Sequence, residues 1–180
     1  GDYAVVGAYG DDDNGESSGS AYIFFNDGIN GWTQQQKLMA ADGNTLDKFG
    51  QAVAISGDFA VVGASGDNDR GESAGAAYIF HNDGSSWSQV QKLTATDGSS
   101  WALFGRVIAV SGDFLIIGAA GDDDQGESSG AAYIYLNNGT TWLQVQKLTA
   151  SDGAGWSGFG QSVALSGDYA IVGANGDDVN

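Results

Sequence analysis

The chain has 180 residues, of which 42% are hydrophobic and 30 are glycine, with no proline and no cysteine. The apolar share is that of a folded chain and the glycines follow no Gly-X-Y period, which excludes disordered and collagen-like classes. Against 23 acidic residues stand 6 basic ones, a formal charge of −17, which repels nucleic-acid phosphates and anionic membranes and attracts cations or basic partners.

Without cysteine, disulfides and thiolate metal sites are excluded. No apolar run approaches the roughly 20 residues of a membrane helix, so neither nucleic acid nor membrane insertion is expected. The main feature is an internal repeat. Gly-Asp followed by an aromatic residue occurs at Gly1, Gly57, Gly112 and Gly167, spaced by 56, 55 and 55 residues, so the chain holds three full periods and 14 residues of a fourth.

Taken in chain order, the predicted elements are all short strands, rich in Val, Ile, Phe and Tyr and punctuated by Gly or Asn-Asp-Gly. They run over 3–8, 20–24 and 32–40, then 49–55, 59–64, 76–80 and 87–95. The series continues with 104–110, 114–119, 131–135 and 142–150, and closes with 159–165 and 169–174. Counted from Phe49, each period supplies four. The second and third, FAVVGA and AAYIF, are apolar on both faces, whereas a sheet with one wet face would alternate. Strands buried on both sides need neighbours on both sides, and small sheets stacked around an axis supply them. The expected fold is all-β, with β-propeller-type blades of four antiparallel strands. Residues 1–48 form a partial blade, 49–103 and 104–158 full blades, and 159–180 a partial blade: about three blades of a larger or oligomer-completed propeller. The first strand carries small residues suited to a crowded axis, and the fourth, WSQVQKLTA, reads as the outer rim.

Phe49-Gly50 with Gly63-Ala64, Phe104-Gly105 with Gly118-Ala119, and Phe159-Gly160 with Gly173-Ala174 recur in phase with a Gly-Ala-x-Tyr strand. The chain resembles the FG-GAP repeat, which builds the integrin α-subunit propeller, and is most similar to its bacterial-type members. The resemblance implies an extracellular or cell-surface location. It departs from the family pattern in two ways. The proline after Gly-Ala is replaced by Tyr9, Ser65, Ala120 or Asn175. The family's calcium loop lies between the first two strands, where this chain has only Ser56-Gly57-Asp58 and its equivalents, so those metal residues have no counterpart here.

The acidic loop between the second and third strands is the sharpest candidate site. Its copies offer Asp11, Asp13 and Glu16, then Asp67, Asp69 and Glu72, then Asp122, Asp124 and Glu127. Hard oxygen donors in a flexible loop suit Ca²⁺, which would relieve the repulsion of crowded carboxylates. A solvated acidic loop with Asx turns is the alternative. The fourth copy has Val179 in place of the third Asp. The link between fourth and first strands, at the same end of the sheet, carries Asp42, Asp97 and Asp152 with Trp101 and Trp156 nearby, an acidic face with a few aromatics, and the resemblance implies that this end meets partners. The two tryptophans either present themselves there or cover the rim of the core. At the other end, Asn-Asp-Gly turns are hairpins, and Asn138-Gly139-Thr140 is a glycosylation sequon. Lys37, Lys92 and Lys147, in Gln-Lys-Leu, are expected as solvated guards of the outer edge. His81 has no copy and reads as a surface residue.

Carboxylates in equivalent triplicate argue for a scaffold or for multivalent binding over an active site. Two functions fit: an extracellular module for adhesion or for protein or glycan recognition, and a structural repeat assembling into a fibre or surface layer. Residues 167–180 repeat residues 1–14 at 11 of 14 positions. Both ends would leave unpaired strand edges and an apolar blade face, so adjoining repeats or self-association are expected to complete the broken blades.

Overall fold

The computed structural model describes residues 2–176. Strands β1 (Tyr3–Ala8), β2 (Ser20–Asn26) and β3 (Trp32–Leu38) form the first sheet. β4 (Phe49–Ser56), β5 (Phe59–Ala64), β6 (Ala76–Asn82) and β7 (Trp87–Leu93) form the second. β8 (Val107–Ser111), β9 (Phe114–Ala119), β10 (Ala131–Asn137) and β11 (Trp142–Leu148) form the third, and β12 (Phe159–Ser166) with β13 (Tyr169–Ala174) a fourth. Every pairing is antiparallel between sequence neighbours. Among the described residues there is no helix, and the sheets do not close into a ring. The molecule is all-β, an arc of propeller-type blades with an incomplete sheet at each end.

The core lies between blades. The side of the first sheet bearing Val5, Ile23 and Leu38 packs on Phe49, Val62, Tyr78 and Trp87 of the second. The opposite side of the second, bearing Val61, Ile79 and Leu93, packs on Phe104, Leu115, Tyr133 and Trp142 of the third. This sandwiching is why the second and third strands are apolar on both faces, at roughly 1.5–3 kcal/mol for each large side chain buried.

The paired glycines make the blade contact possible. Gly63 of β5 faces Gly105 of the next blade, and a Cβ on Gly63 would collide with the Gly105 carbonyl oxygen. The same approach joins Gly7 to Gly50 and Gly118 to Gly160. Parallel bridges tie Gly19 to Phe49, Gly75 to Phe104 and Gly130 to Phe159, so each Phe-Gly pair docks on the blade before it.

The fourth strands stop at Leu38, Leu93 and Leu148, two residues short of the expected end. The carbonyls of Ala40, Ala95 and Ala150 turn away to accept from Gly43, Gly98 and Gly153 at 3.3, 3.2 and 3.2 Å. Each fourth strand also carries a bulge. Ile79 pairs with Gln91 and Phe80 with Gln89, leaving Val90 unpaired, and Gln35 and Val145 are skipped in the same way. An extra residue reverses which side chains share a face.

Candidate functional site

The bulge sets up the site. It puts Lys92 directly opposite Tyr78, on one face of the sheet, with Tyr22 opposite Lys37 and Tyr133 opposite Lys147 in the neighbouring blades. The ammonium of Lys92 lies 5.2 Å from the centre of the Tyr78 ring, a cation–π contact. It then reaches the acidic loop, at 2.8 Å from Asp67 and 2.6 Å from Asp69, and meets Asp42 of the preceding link at 2.7 Å. Lys147 repeats this with Asp122 at 2.9 Å, Asp124 at 2.5 Å and Asp97 at 2.7 Å. Lys37 holds Asp11 at 2.9 Å and Asp13.

These lysines are therefore not solvated guards of a strand edge. Lys92 is only 17% exposed and Lys147 16%, and each is the electrostatic centre of an acidic cluster. Tyrosine hydroxyls close the network: Tyr78 donates to Asp67 at 3.0 Å and Tyr22 to Asp11 at 2.8 Å, while the single hydroxyl proton of Tyr133 is shared between Asp97 at 2.8 Å and Asp122 at 2.9 Å. Hydrogen bonds from Ser20, Lys37 and Tyr22 hold the Asp11 carboxyl far below its usual range. Burial is the largest influence on Asp42 and Asp97 and pushes both up, but hydrogen bonds from Lys92 and Tyr78, and from Lys147 and Tyr133, together with the lysine charge, outweigh it and hold both low. The lysines are correspondingly raised: burial opposes this, and the carboxylates around Lys92 and Lys147 overcome it.

The two aspartates of each loop thus meet as the spacing suggests, but the glutamates do not join them. Glu16, Glu72 and Glu127 are exposed, and their backbone carbonyls accept from Leu46, Trp101 and Trp156 at 2.8, 2.6 and 2.6 Å. Among the described residues no group of three acidic or imidazole side chains is arranged to hold a metal. The ammoniums of Lys92 and Lys147 stand where the aspartate oxygens of their loops converge. The fourth acidic loop, with Val179, lies outside the described residues.

The glutamate carbonyls join the two loops at one end of each blade and fix what the second loop displays. Leu46, Trp101 and Trp156 occupy equivalent positions, all in the left-handed region at φ 67°, 67° and 68°. That backbone costs a non-glycine residue roughly 1–2 kcal/mol. Their side chains are 51%, 57% and 66% exposed, so they present themselves to solvent and do not cover the core rim. Asp42, Asp97 and Asp152 are exposed beside them.

At the other end, Asn138 sits exposed in a hairpin turn, and its Oδ1 accepts from Thr140 and Thr141 at 3.0 and 2.9 Å. His81 is half-buried against Phe59, ring centres 4.9 Å apart, and is a packing residue more than a surface one. Sequence reasoning missed the lysines and the left-handed tryptophans. The repeat of Gln-Lys-Leu in phase with Asp-x-Asp was the available signal for the first, and nothing in the residue types signalled the second.

No curated protein matches this chain. The FG-GAP repeat family model matches residues 1–24, 32–80, 87–135 and 142–180, nearly the whole length. The segments share the 55-residue period, and the Phe-Gly and Gly-Ala pairs inside them are the glycines that let successive blades touch. On this agreement of repeat, motif and blade packing, the chain belongs to the FG-GAP repeat family.

Proposed function

We propose that the chain is a non-catalytic recognition segment of an extracellular propeller, and that its contact surface is the loop end bearing Leu46, Trp101 and Trp156. The observation that carries this reading is the exposure of two tryptophans on backbone that only a rigid scaffold would hold in the left-handed region. FG-GAP repeats are typically extracellular, and among the described residues no helix is long and apolar enough to cross a membrane. The linking carboxylates Asp42 and Asp97 are committed to Lys92 and Lys147 in successive blades, which suits struts shaping a surface and not a single reacting centre. An exposed indole with exposed acids around it fits a ligand with a flat apolar face and hydrogen-bond donors, as a sugar ring or a basic peptide provides. The acidic loops enter this reading as the support of the surface, with lysine in the role that calcium would otherwise take.

The test is binding of an oligosaccharide panel and of a lysine-rich peptide, read by calorimetry on the intact protein. A ligand should bind with micromolar to millimolar affinity, and Trp101→Ala and Trp156→Ala should each weaken it about tenfold without loss of fold. Binding left unchanged by both substitutions removes this face from the reading. The second reading, a structural repeat assembling into a fibre or layer, is favoured by the near-identity of the lysine clusters in successive blades.

A further inference from the structure

The hairpin joining β10 to β11 holds an asparagine where its two counterparts hold an acid. The turns read Asn26-Asp27-Gly28, Asn82-Asp83-Gly84 and Asn137-Asn138-Gly139. The same pair of backbone bonds closes each of them. Oδ1 of Asp27 accepts from the N–H groups of Ile29 and Asn30 at 2.8 and 2.7 Å, and Oδ1 of Asp83 from Ser85 and Ser86 at 2.8 and 2.9 Å. Oδ1 of Asn138 accepts from Thr140 and Thr141 at 3.0 and 2.9 Å. A turn that takes a carboxylate elsewhere in the chain is filled here by a carboxamide.

An asparagine followed by glycine is open to attack on its side-chain carbonyl by the glycine nitrogen, because no side chain shields that nitrogen. Where the carboxamide points decides whether a fold allows it. The chain holds four such pairs, at 14–15, 30–31, 138–139 and 175–176. Three are turned away from the reaction. Gly15 is wedged against the Thr45 hydroxyl and its N–H is bonded to the Asp12 carbonyl at 3.1 Å. The carboxamide of Asn30 points backward, donating to Oδ2 of Asp27 at 2.8 Å. Oδ1 of Asn175 packs against Gly158, and the N–H of Gly176 is bonded to the Ser157 carbonyl at 3.0 Å.

Asn138 differs from all three. Its side-chain carbonyl is directed forward, onto the N–H groups of the two residues after its glycine. Asn138, Gly139 and Thr140 are exposed, and Gly139, at φ 89°, has open space around it. The two N–H donors on Oδ1 stand where negative charge develops when that carbonyl is attacked. The N–H of Gly139 is held by Oδ1 of Asn137 at 2.9 Å, in an exposed turn where a solvent base can take the proton.

We propose that Asn138 is a self-modifying site, which the folded turn converts to a carboxylate by ring closure on Gly139. The nitrogen of Gly139, its proton passed to hydroxide, bonds to Cγ of Asn138. The tetrahedral adduct expels Nδ2, which takes a proton from water and leaves as ammonia. The product is a cyclic imide. Water then adds to one imide carbonyl, the bond from that carbon to the nitrogen breaks, and the nitrogen recovers its proton. The net reaction consumes one water and yields a carboxylate and ammonium. Opening at Cγ leaves aspartate, which remakes the turn of the first two blades. Opening at the backbone carbonyl leaves isoaspartate, which lengthens the main chain by one carbon and draws the carboxylate away from its donors. The aspartate stays as formed. Bonds from the Ser85 hydroxyl and the Ser85 and Ser86 N–H groups hold Asp83 low, those from Asn30 and Ile29 hold Asp27 low, and an ionised carboxylate resists a second closure. The carboxamide is also the acceptor of the glycosylation sequon, so conversion and glycosylation exclude each other.

Incubation of the intact protein at mildly alkaline pH, read by peptide mass mapping and isoelectric focusing, tests this. In the folded protein Asn138 should exchange NH2 for OH at least about tenfold faster than Asn14 or Asn30, with a matching acidic shift. In urea the Asn-Gly pairs should react at similar rates, which makes the preference a property of the fold. Hydroxylamine present during the incubation should cut the folded chain between Asn138 and Gly139, since it opens the imide. Asn138→Asp should focus with the converted protein and keep or raise its Tm, because the turn then matches the other two. Folded protein in which Asn14 or Asn30 reacts as fast as Asn138 overturns the inference. So does an Asn138 that remains an amide while the unfolded chain converts, or a fall in Tm for Asn138→Asp.

Discussion

Lys92 brings one positive charge to three carboxylates, of which Asp67 is 4% exposed and Asp69 62%. The buried partner decides the energetics. An uncompensated carboxylate at Asp67 is costly, whereas the exposed members contribute little each. Lys92→Met keeps the length of the side chain and removes the charge, and should destabilise by about 2 kcal/mol, read by urea unfolding. It also leaves Asp42, Asp67 and Asp69 facing an empty centre. Millimolar calcium should then raise the Tm of this variant while barely moving that of wild type, since only the variant has room for the ion. Equal shifts in both would mean that calcium acts somewhere other than these loops. The clusters also set the response to pH. Asp42 and Asp97 have folded values below the usual 3.8, so their stabilisation is full above that value and lost as pH falls through the lower folded one. Lys92 and Lys147 have folded values above 10.5, so their share is full below 10.5 and lost as pH rises past it. Asp47, raised by burial, works in the opposite sense and blunts the acid limb. Thermal unfolding should show a plateau between about pH 5 and pH 10, with Tm falling on either side.

At the scale of one element, the loop joining the fourth strand to the next first strand combines a tight turn with a strained display. Gly43, Gly98 and Gly153 donate back to the alanine three residues earlier. The chain then enters the left-handed region at Leu46, Trp101 and Trp156 because the N–H of each must reach a glutamate carbonyl in the preceding loop. A glycine meets that backbone demand without steric cost. Trp101→Gly should therefore leave stability unchanged or raise it by up to about 1 kcal/mol, although it deletes the largest side chain of the loop. A loss of more than about 1 kcal/mol in chemical denaturation would show that the indole supports the fold, and the recognition reading would lose its main support.

The whole molecule carries a formal charge of −17, and the exposed acids crowd toward one end of each blade. Self-repulsion on this scale destabilises a compact state and is screened by salt, with a Debye length of roughly 10 Å at 0.1 M. The lysine clusters are partly buried and are screened less. Raising sodium chloride from about 0.01 to 0.5 M should increase Tm, since relief of repulsion outweighs what the ion pairs lose. A fall in Tm would mean that the pairs, and not the net charge, dominate.

The number and order of strands, the blade order and the sandwiching of FAVVGA and AAYIF follow from the sequence, because a 55-residue period fixes topology by repetition and two apolar faces demand two neighbours. The Phe-Gly and Gly-Ala pairs were legible as a motif, and their spacing marks where backbone meets backbone between blades. The crowding of carboxylates at Asp11 and Asp13, Asp67 and Asp69, and Asp122 and Asp124 was legible as a need for positive charge, and was read with Glu16, Glu72 and Glu127 as a calcium loop. What supplies that charge was not legible. Strict alternation from Trp87 puts Gln91 on the tryptophan's face and Lys92 on the other. The bulge at Val90 reverses this, turning Lys92 toward Tyr78 and Asp67 and turning Gln91 toward the next blade. One skipped residue thus creates both the ammonium cluster and the clamp of the Gln91 amide on the backbone of Trp142. A bulge is a property of two paired strands, so one strand read alone carries no record of it. The exposure of Trp101 and Trp156 was undecided for the same kind of reason: an indole suits a core rim or a surface equally, and a hydrogen bond from another loop chose the surface.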